Sequence, residues 1–183
     1  MKYNSIMLSG LPVSGKSTLA KKLSEIYTWP IHSIGQLWRE EWKRLYPNAE
    51  VPFEEYWRNT SLKDNKEINV KAKKVFEKGH VIGDTRYSVY CKDLPSLLVF
   101  VTADLDVRAE RGLNTDRYKG KTTDEVRRTL ITREQDELKM GYYIFGIDYR
   151  SPEHYDIVIN SGKLTVEQEV SIITNLVPWL GEF

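Results

Sequence analysis

The sequence predicts an α/β fold in which a five-stranded parallel sheet carries helices on both faces. Short apolar runs alternate along the chain with segments of helical periodicity. A glycine-rich loop joins the first apolar run to the first helix. The run 97–101 is almost entirely apolar, which is typical of a central parallel strand that is covered on both faces. These three observations together favour the α/β class.

The first strand is predicted at residues 6–8, and the loop that follows matches the pattern G-x-x-x-x-G-K-[ST]. Its glycines let successive backbone N–H groups point at phosphate oxygens, while Lys16 can reach the β and γ phosphates and Ser17 can offer its hydroxyl to Mg²⁺. The helix that opens at the loop adds its positive N-terminal end. We therefore expect ATP and Mg²⁺ to bind here. The predicted loop ligands are Gly10, Pro12, Val13, Ser14, Gly15, Lys16, Ser17 and Thr18.

The first half of the chain continues with helices and one further strand. Helical spacing predicts a helix over 16–27, which Trp29-Pro30 ends. The next predicted elements are a strand over 31–34, a helix over 36–45, a helix beginning near Phe53 and a long charged helix over 61–78. The sparse apolar stripe of that last helix consists of Ile68, Ala72, Val75 and Phe76, and Gly79 is its predicted stop.

The second half repeats the alternation. We predict strands over 81–84, 97–101 and 155–160, and helices over 103–112, 123–145 and 166–179, with Asp104 as a helix cap. The polar segment 117–123 is interpreted as a mobile excursion. Because ligands bind at the carboxyl ends of parallel strands, Gly10, Asp84 and Thr102 should lie at the functional edge of the sheet.

Composition limits the functional classes. The 183 residues suit one domain, and 27 basic against 26 acidic residues give a net charge of +1. No bulk charge therefore favours nucleic acid or an anionic membrane. The single cysteine, Cys91, excludes a disulfide framework and suits a reducing compartment. Since no apolar stretch approaches spanning length and the first residues lead directly into a strand, we expect a cytoplasmic protein without a membrane segment or secretory signal.

Phosphoryl transfer needs cations that converge on the transferred group. The arginines fall in clusters after strand ends or beside the polar excursion: Arg39, Arg86, Arg108, Arg111, Arg117, Arg127, Arg128 and Arg133. Arg108 and Arg111 lie three residues apart on one helix face, so a shared anionic target is possible. Asp84 is a candidate ligand of Mg²⁺ through water, and a turn cap is the alternative.

Large rings are concentrated between residues 38 and 57. Trp38 and Trp42 share a helix face, which favours the packing core of a small lobe. The alternative is that one of the rings in this stretch borders a pocket for a base. The three histidines are too scattered to indicate a metal site. Cys91 is expected to be a buried, unreactive thiol.

The order of these motifs resembles the nucleoside monophosphate kinases among the P-loop NTPases, and within them most closely the cytidylate-kinase-like branch. The likeness rests on the phosphate loop, on the segment 31–40 with Ser33, Gly35 and Arg39, and on the V-R-A-E-R run that ends at Arg111. It continues in the segment 133–148, which opens with Arg-Glu and ends in Gly-Ile-Asp, and in the strand 155–160. Together these stretches cover most of the chain.

The resemblance implies a single P-loop kinase domain over 1–183, with a monophosphate-binding lobe near 35–78 and a lid near 112–133. ATP with Mg²⁺ would occupy the phosphate loop, and Ser17 and Asp84 would hold the metal. The acceptor would be bound by Ser33, Gly35, Arg39, Asp84 and Arg86. Lys16, Arg108, Arg111 and Arg133 would act on the transferring group or the donor nucleotide.

Three departures from the family pattern leave the acceptor open. The expected E-G-R reads Gly83-Asp84-Thr85-Arg86, an expected arginine is replaced by Gly141, and the closing D-T reads Asn160-Ser161. CMP or dCMP is the first expectation for the acceptor. Another monophosphate, a different metabolite or an RNA end are alternatives, as is a non-catalytic ATP-binding module. The sequence does not determine the oligomeric state.

Overall fold

The computed structural model describes residues 3–177. Five strands alternate with seven helices among them. The strands are β1 (Ser5–Gly10), β2 (Ile31–Ser33), β3 (Ile82–Asp84), β4 (Ser96–Thr102) and β5 (Ile157–Asn160). The helices are α1 (Lys16–Tyr27), α2 (Ile34–Leu45), α3 (Phe53–Arg58), α4 (Leu62–Phe76), α5 (Leu105–Leu113), α6 (Thr123–Phe145) and α7 (Val166–Leu176).

The strands form one parallel sheet in the order β2-β3-β1-β4-β5. The central strand β1 is buried along its whole length, and its side chains alternate between two cores. Ile6 and Leu8 pack into the core that contains Leu19 of α1 and Ile173 of α7, whereas Met7 packs on the opposite face with residues of α2 and α4. The predicted α/β fold with helices on both faces of a five-stranded parallel sheet is confirmed.

Several element boundaries differ from the prediction by one to three residues. Helix α2 begins at Ile34, because the Ser33 hydroxyl accepts a hydrogen bond from Gln36 N at 3.2 Å and caps the helix there. Asp104 does occupy the N-cap position of α5, but within the described chain its side chain makes no capping hydrogen bond. Helix α6 has the predicted bounds and begins with a capping box of Thr122 and Glu125.

The apolar stripe predicted for α4 is only part of its inner face. Ala72 and Phe76 are buried as expected and Ile68 packs against the same core, but the face continues through two asparagines, Asn65 and Asn69, which are 2% and 4% exposed. Buried polar side chains ordinarily have hydrogen-bond partners or a function. The inner face of α4 is therefore polar at its N-terminal end, where it borders the cavity described below.

The segment 117–123, which the sequence predicts to be a mobile excursion, begins in a packed turn. Residues Asp116–Tyr118 form one 3₁₀ turn, and the Tyr118 ring is 2% exposed among Ala109 of α5 and Val126 and Leu130 of α6. Residues 119–122 follow this turn and are exposed. The Tyr118 ring thus anchors one end of the segment, and the mobility of the segment stays a prediction.

Other residues singled out in the sequence are also placed by the fold. Trp38 is buried in the core between α2 and α4, as the packing interpretation expects, and it also lines the cavity. Cys91 is fully buried, and burial raises the pKa of its thiol to about 12. Trp179, which the sequence assigns to the last helix, lies outside the described residues. Along residues 3–177 no helix has the length and apolar character needed to cross a membrane.

Candidate active site

The phosphate loop connects β1 to α1 at the carboxyl edge of the sheet, as predicted. Gly10 is required at the strand end because a Cβ there would collide with the carbonyl oxygen of Val101 on β4. Gly15 adopts a left-handed conformation, with φ of +89°, as the N-cap of α1. Val13 also has a positive φ, of 62°, which is uncommon for a β-branched residue. The loop is thus held in a curved form at the N-terminus of a helix.

The two functional groups of the loop, Lys16 and Ser17, converge on Asp84 at the end of β3. Lys16 Nζ forms an ion pair with Asp84 Oδ1, and Ser17 Oγ donates a hydrogen bond to Asp84 Oδ2 at 3.0 Å. Ser33 Oγ lies 3.3 Å from the same Oδ2. Burial opposes ionisation of this carboxyl, but the Lys16 ammonium and the Ser17 hydroxyl outweigh it, and the pKa of Asp84 is lowered.

The residues proposed for Mg²⁺ fit a site that is completed by substrate. Ser17 and Asp84 present a hydroxyl and a carboxylate oxygen 3.0 Å apart at the mouth of the loop. Mg²⁺ is usually bound by one or two carboxylates together with phosphate oxygens and water. Over the described residues, no group of three or more His, Cys, Asp and Glu side chains is arranged to hold a metal by itself. These two side chains would supply only part of the coordination of a metal ion, and the other ligands would have to come from a bound molecule.

The two arginines of α5 have different partners. Arg111 lines the cavity beside the phosphate loop, with Nη1 donating to Ser161 Oγ at 2.9 Å and Nη2 donating to the Ser161 carbonyl at 2.7 Å. Ser161 Oγ in turn donates to the Ser14 carbonyl at 2.6 Å, so it fixes both the arginine and the loop.

Arg108 is 3% exposed and lies behind the phosphate loop. It donates to the carbonyl of Ala103 at 2.8 Å and to that of Pro12 at 3.3 Å, and it pairs with Glu134 at 2.5 Å. Among the described residues, the lining of the cavity includes Arg111 but not Arg108. The two arginines thus share no target in this structure, and Arg108 supports the loop from behind.

Three more of the arginines that line the cavity, Arg39, Arg86 and Arg133, lie close to one another. Arg86 and Arg133 both donate to Oε1 of Glu137, with Arg133 Nε at 2.7 Å. Burial opposes the charge on Arg133, but the carboxylate outweighs it and raises the pKa of that guanidinium. Burial is the largest effect on Arg39, and it lowers the pKa of this guanidinium. The nearby charges of Arg133 and Arg86 lower the pKa further, whereas the Asp84 carboxylate raises it. These arginines form a second cationic cluster.

Glu137 is the residue that sequence reasoning missed. Its side chain is fully buried, its Oε2 accepts from Tyr149 Oη at 3.3 Å, and its backbone carbonyl accepts from Tyr87 Oη at 2.7 Å. The four-residue spacing from Arg133 on a predicted helix could have indicated an ion pair. Its burial and its contact with Arg86, 51 positions away, depend on tertiary structure.

Two ion pairs connect α3 to the opposite wall of the cavity. Glu54 Oε1 forms an ion pair with Arg117 Nε at 3.2 Å, and Arg58 Nε donates to Asp136 at 2.7 Å. All four side chains line the cavity. Helix α3 is thereby held against the turn 116–118 and against α6.

The cavity that joins these groups has a volume of about 780 Å³, which is in the range of a small-molecule site. Its lining includes every predicted loop residue except Gly10, together with Ser33, Gly35, Arg39, Asp84 and Arg86. The sequence profile of the cytidylate kinase-like family matches residues 5–163.

The chain belongs to the cytidylate kinase-like family.

Similar proteins agree with this placement. This kinase is 28% identical over 182 residues to the cytidylate kinase of Methanopyrus kandleri, covering 92% of the chain and 90% of that protein. It is also 28% identical over 176 residues to the cytidylate kinase of Methanocaldococcus jannaschii, covering 94% and 96%.

Among solved structures, the kinase resembles the shikimate kinase of Bacteroides thetaiotaomicron, with a TM-score of 0.60, 17% identity and coverage of 94% and 97% of the two chains. At that identity the likeness concerns the fold alone. The resemblance to nucleoside monophosphate kinases and the expectation of a kinase are confirmed.

The departures from the family pattern have structural explanations in this kinase. A Cβ on Gly141 would lie 3.2 Å from a ring carbon of Tyr87 and 3.5 Å from one of Tyr149, so a larger side chain at this position would press on the two rings. Ser161, in place of the family threonine, holds Arg111 and the Ser14 carbonyl. The altered positions thus pack against, or bond to, the two cationic groups of the site.

Proposed function

We propose that this nucleoside monophosphate kinase transfers the γ-phosphoryl group of ATP to CMP or dCMP, giving the corresponding diphosphate and ADP. The observation that carries the proposal is one cavity lined by two groups of cationic side chains. The phosphate loop with Lys16 and Arg111 is called the donor end below, and Arg39, Arg86 and Arg133 are called the acceptor end. A protein that only binds ATP has no need of the second group of cations.

The donor end suits the phosphates of ATP. Backbone N–H groups of the loop and the N-terminus of α1 would face the phosphate oxygens, and Lys16 would exchange Asp84 for the β and γ phosphates. Arg111, already fixed by Ser161, adds a preorganised charge beside the loop. When bound, Mg²⁺ would be held by Ser17 and Asp84 and would neutralise charge on the phosphates.

The acceptor end suits a phosphate monoester. Arg39 and Arg86 would bind the acceptor's phosphate, with Ser33 and Gly35 at the entrance of the lobe. Arg133 lies between the acceptor arginines and the turn that connects α5 and α6, so it is suited to contact the transferring group when the lid, residues 112–133, closes. Closure would also exclude water, which would otherwise hydrolyse ATP.

Two further assignments belong to the same proposal. The reaction partners are small nucleotides, and the near-neutral net charge of +1 favours no nucleic acid. The single cysteine is consistent with the cytosol as the compartment.

The test is steady-state ADP formation from ATP and Mg²⁺ with a panel of ribo- and deoxyribonucleoside monophosphates. We expect CMP or dCMP to give the highest kcat/KM. Lys16→Ala should lower kcat by at least about a hundredfold, because it removes a contact that is strongest in the transition state. Lys22→Ala is the matched control, since Lys22 is on the same helix, is 50% exposed and pairs only with Glu25 among the described residues.

Two results would overturn the proposal. ADP formation that no monophosphate stimulates would exclude this acceptor class and would direct the search to other metabolites or RNA ends. Full turnover by Lys16→Ala would show that the phosphate loop has been assigned the wrong role.

A further inference from the structure

The acceptor side of the cavity has a wall whose polar groups the reaction does not use. Asn65 and Asn69 lie one turn apart on the inner face of α4, and both line the cavity although they are 2% and 4% exposed. Neither is charged, and neither contacts the two cationic clusters. Buried amides at such a position need a partner or a ligand.

The orientation of the Asn69 amide is fixed by its neighbour. Asn69 Nδ2 donates to the backbone carbonyl of Asn65 at 2.6 Å. The reversed amide would place Oδ1 against that carbonyl, two acceptors facing each other, so the assignment follows from chemistry. Oδ1 therefore points away from the helix backbone, and it has no hydrogen-bond partner among residues 3–177.

Asn65 presents the same kind of atom. Its Nδ2 donates to Thr60 Oγ1 at 2.7 Å and to the Ser61 carbonyl at 3.0 Å, so both N–H groups of the amide are used. On Asn65 only the carbonyl oxygen is left for another molecule, whereas Asn69 retains Oδ1 and the second N–H of its amide. Of the two amides, the buried atom without a partner among the described residues is Asn69 Oδ1, an acceptor.

Aromatic rings line the same cavity. Trp38, Phe53 and Trp57 belong to its lining and to the apolar cluster that contains Ala72 and Phe76 of α4. Flat apolar rings combined with a few placed polar atoms are typical of a site for a heterocyclic base.

We propose that Asn69 Oδ1 accepts a hydrogen bond from an exocyclic amino group of the acceptor base, and that this contact selects cytosine over uracil. The inference rests on the proposed function, because it names how the acceptor of that reaction is chosen. Cytosine carries an amino group at C4, whereas uracil carries a carbonyl oxygen there. An oxygen facing Asn69 Oδ1 would leave two buried acceptors unpaired, and such mismatches are strongly disfavoured.

The test uses the wild-type protein and three ligands: the pyrimidin-2-one analogue differs from CMP only at C4 of the ring, whereas UMP differs at C4 and also carries a proton on N3. Calorimetric titration compares CMP, UMP and the pyrimidin-2-one ribonucleoside monophosphate, which has hydrogen in place of the amino group. We expect CMP to bind at least about tenfold more tightly than either of the others, as one hydrogen bond to a buried acceptor predicts. Turnover with each ligand is measured in parallel.

The same titrations are repeated on Asn69→Leu. Removing the amino group from the ligand and removing Oδ1 from the protein then form the two arms of a thermodynamic cycle. If Oδ1 reads the amino group, the preference for CMP over the amino-free analogue should fall to within about twofold in this variant. Val70→Ala is the matched control, because Val70 follows Asn69 on the same helix and is 50% exposed. Asn69→Ser replaces the leucine variant if that one does not fold.

The outcomes separate the inference from the proposed function. Equal affinity of the wild type for CMP and the amino-free analogue overturns the inference, even if CMP is phosphorylated. A preference for CMP that persists in the Asn69 variants also overturns it. A preference that disappears in those variants, in a protein that phosphorylates no monophosphate, supports the inference and refutes the proposed reaction. Absence of CMP binding refutes both.

Discussion

Glu137→Gln is the substitution that most directly tests the second cationic cluster. Glu137 is fully buried, and a single carboxylate oxygen accepts hydrogen bonds from Arg86 and Arg133. Glutamine has nearly the same shape and still offers an acceptor oxygen, but it carries no charge. The substitution therefore leaves two guanidinium groups side by side without the anion between them.

The magnitude follows from the two contacts. A hydrogen bond to a charged partner is worth about 1 kcal/mol more than a neutral one, so two of them amount to about 2 kcal/mol. Arg86 and Arg133 are only 23% and 20% exposed, so solvent compensates little of this loss. We expect a Tm lower by about 4–8 °C for a chain of this size. If the transition state loses the same interaction free energy, kcat/KM falls about thirtyfold.

The assay is steady-state kinetics with varied acceptor, together with thermal unfolding. The acceptor KM should rise because Arg86 is less well placed, and kcat should fall because Arg133 is. Tyr149→Phe is the control, since it removes the 3.3 Å hydrogen bond to the other carboxylate oxygen and leaves both arginine contacts intact. The reasoning is refuted if Glu137→Gln and Tyr149→Phe show the same kcat and acceptor KM within about twofold, whatever their Tm values.

Three further outcomes are expected. Gly10→Ala should lower both Tm and ATP affinity, because its Cβ collides with the Val101 carbonyl; an unchanged melting curve would contradict the packing at this strand end. Cys91 should resist iodoacetamide at mildly alkaline pH until the protein unfolds, because burial raises the pKa of its thiol to about 12, and rapid labelling of the folded protein would be inconsistent with this. Folding lowers the pKa of Asp84 below its ordinary value of 3.8. The wild type should therefore have a larger free energy of unfolding than Asp84→Asn, with the full difference present above that pH. The difference should shrink as the pH falls through the lower pKa of the folded state. Equilibrium unfolding at several pH values measures this difference, and an advantage that persists in strong acid would show that the pair with Lys16 does not stabilise the fold.

Features encoded by contiguous residues could be predicted from the sequence. The phosphate loop was predicted because nine consecutive residues match its pattern, and its ligands stay a prediction. Helix α6 was predicted with its bounds; in the structure Thr122 and Glu125 form a capping box at its start, and Gly146 ends it in a left-handed conformation, with φ of 72°. The apolar run of β4 likewise indicated a central strand.

The partners of individual charged and polar side chains could not be predicted in this way. Arg108 and Arg111 are three residues apart, but Glu134 binds one and Ser161 binds the other. Glu137 is buried because α6 packs against the strand end that carries Arg86. Such contacts join residues that are far apart in the chain, and the packing of helices on the sheet decides them.

The sequence by itself therefore determined the class of fold, the donor site and the arginines available for an acceptor. Only the tertiary structure decided which arginines face the cavity and which buried amides line its acceptor wall. The physical reason is the distance along the sequence between the residues that interact. A loop or a helix cap is specified by neighbours within a few residues. A binding wall is instead assembled from helices whose relative positions depend on the whole core.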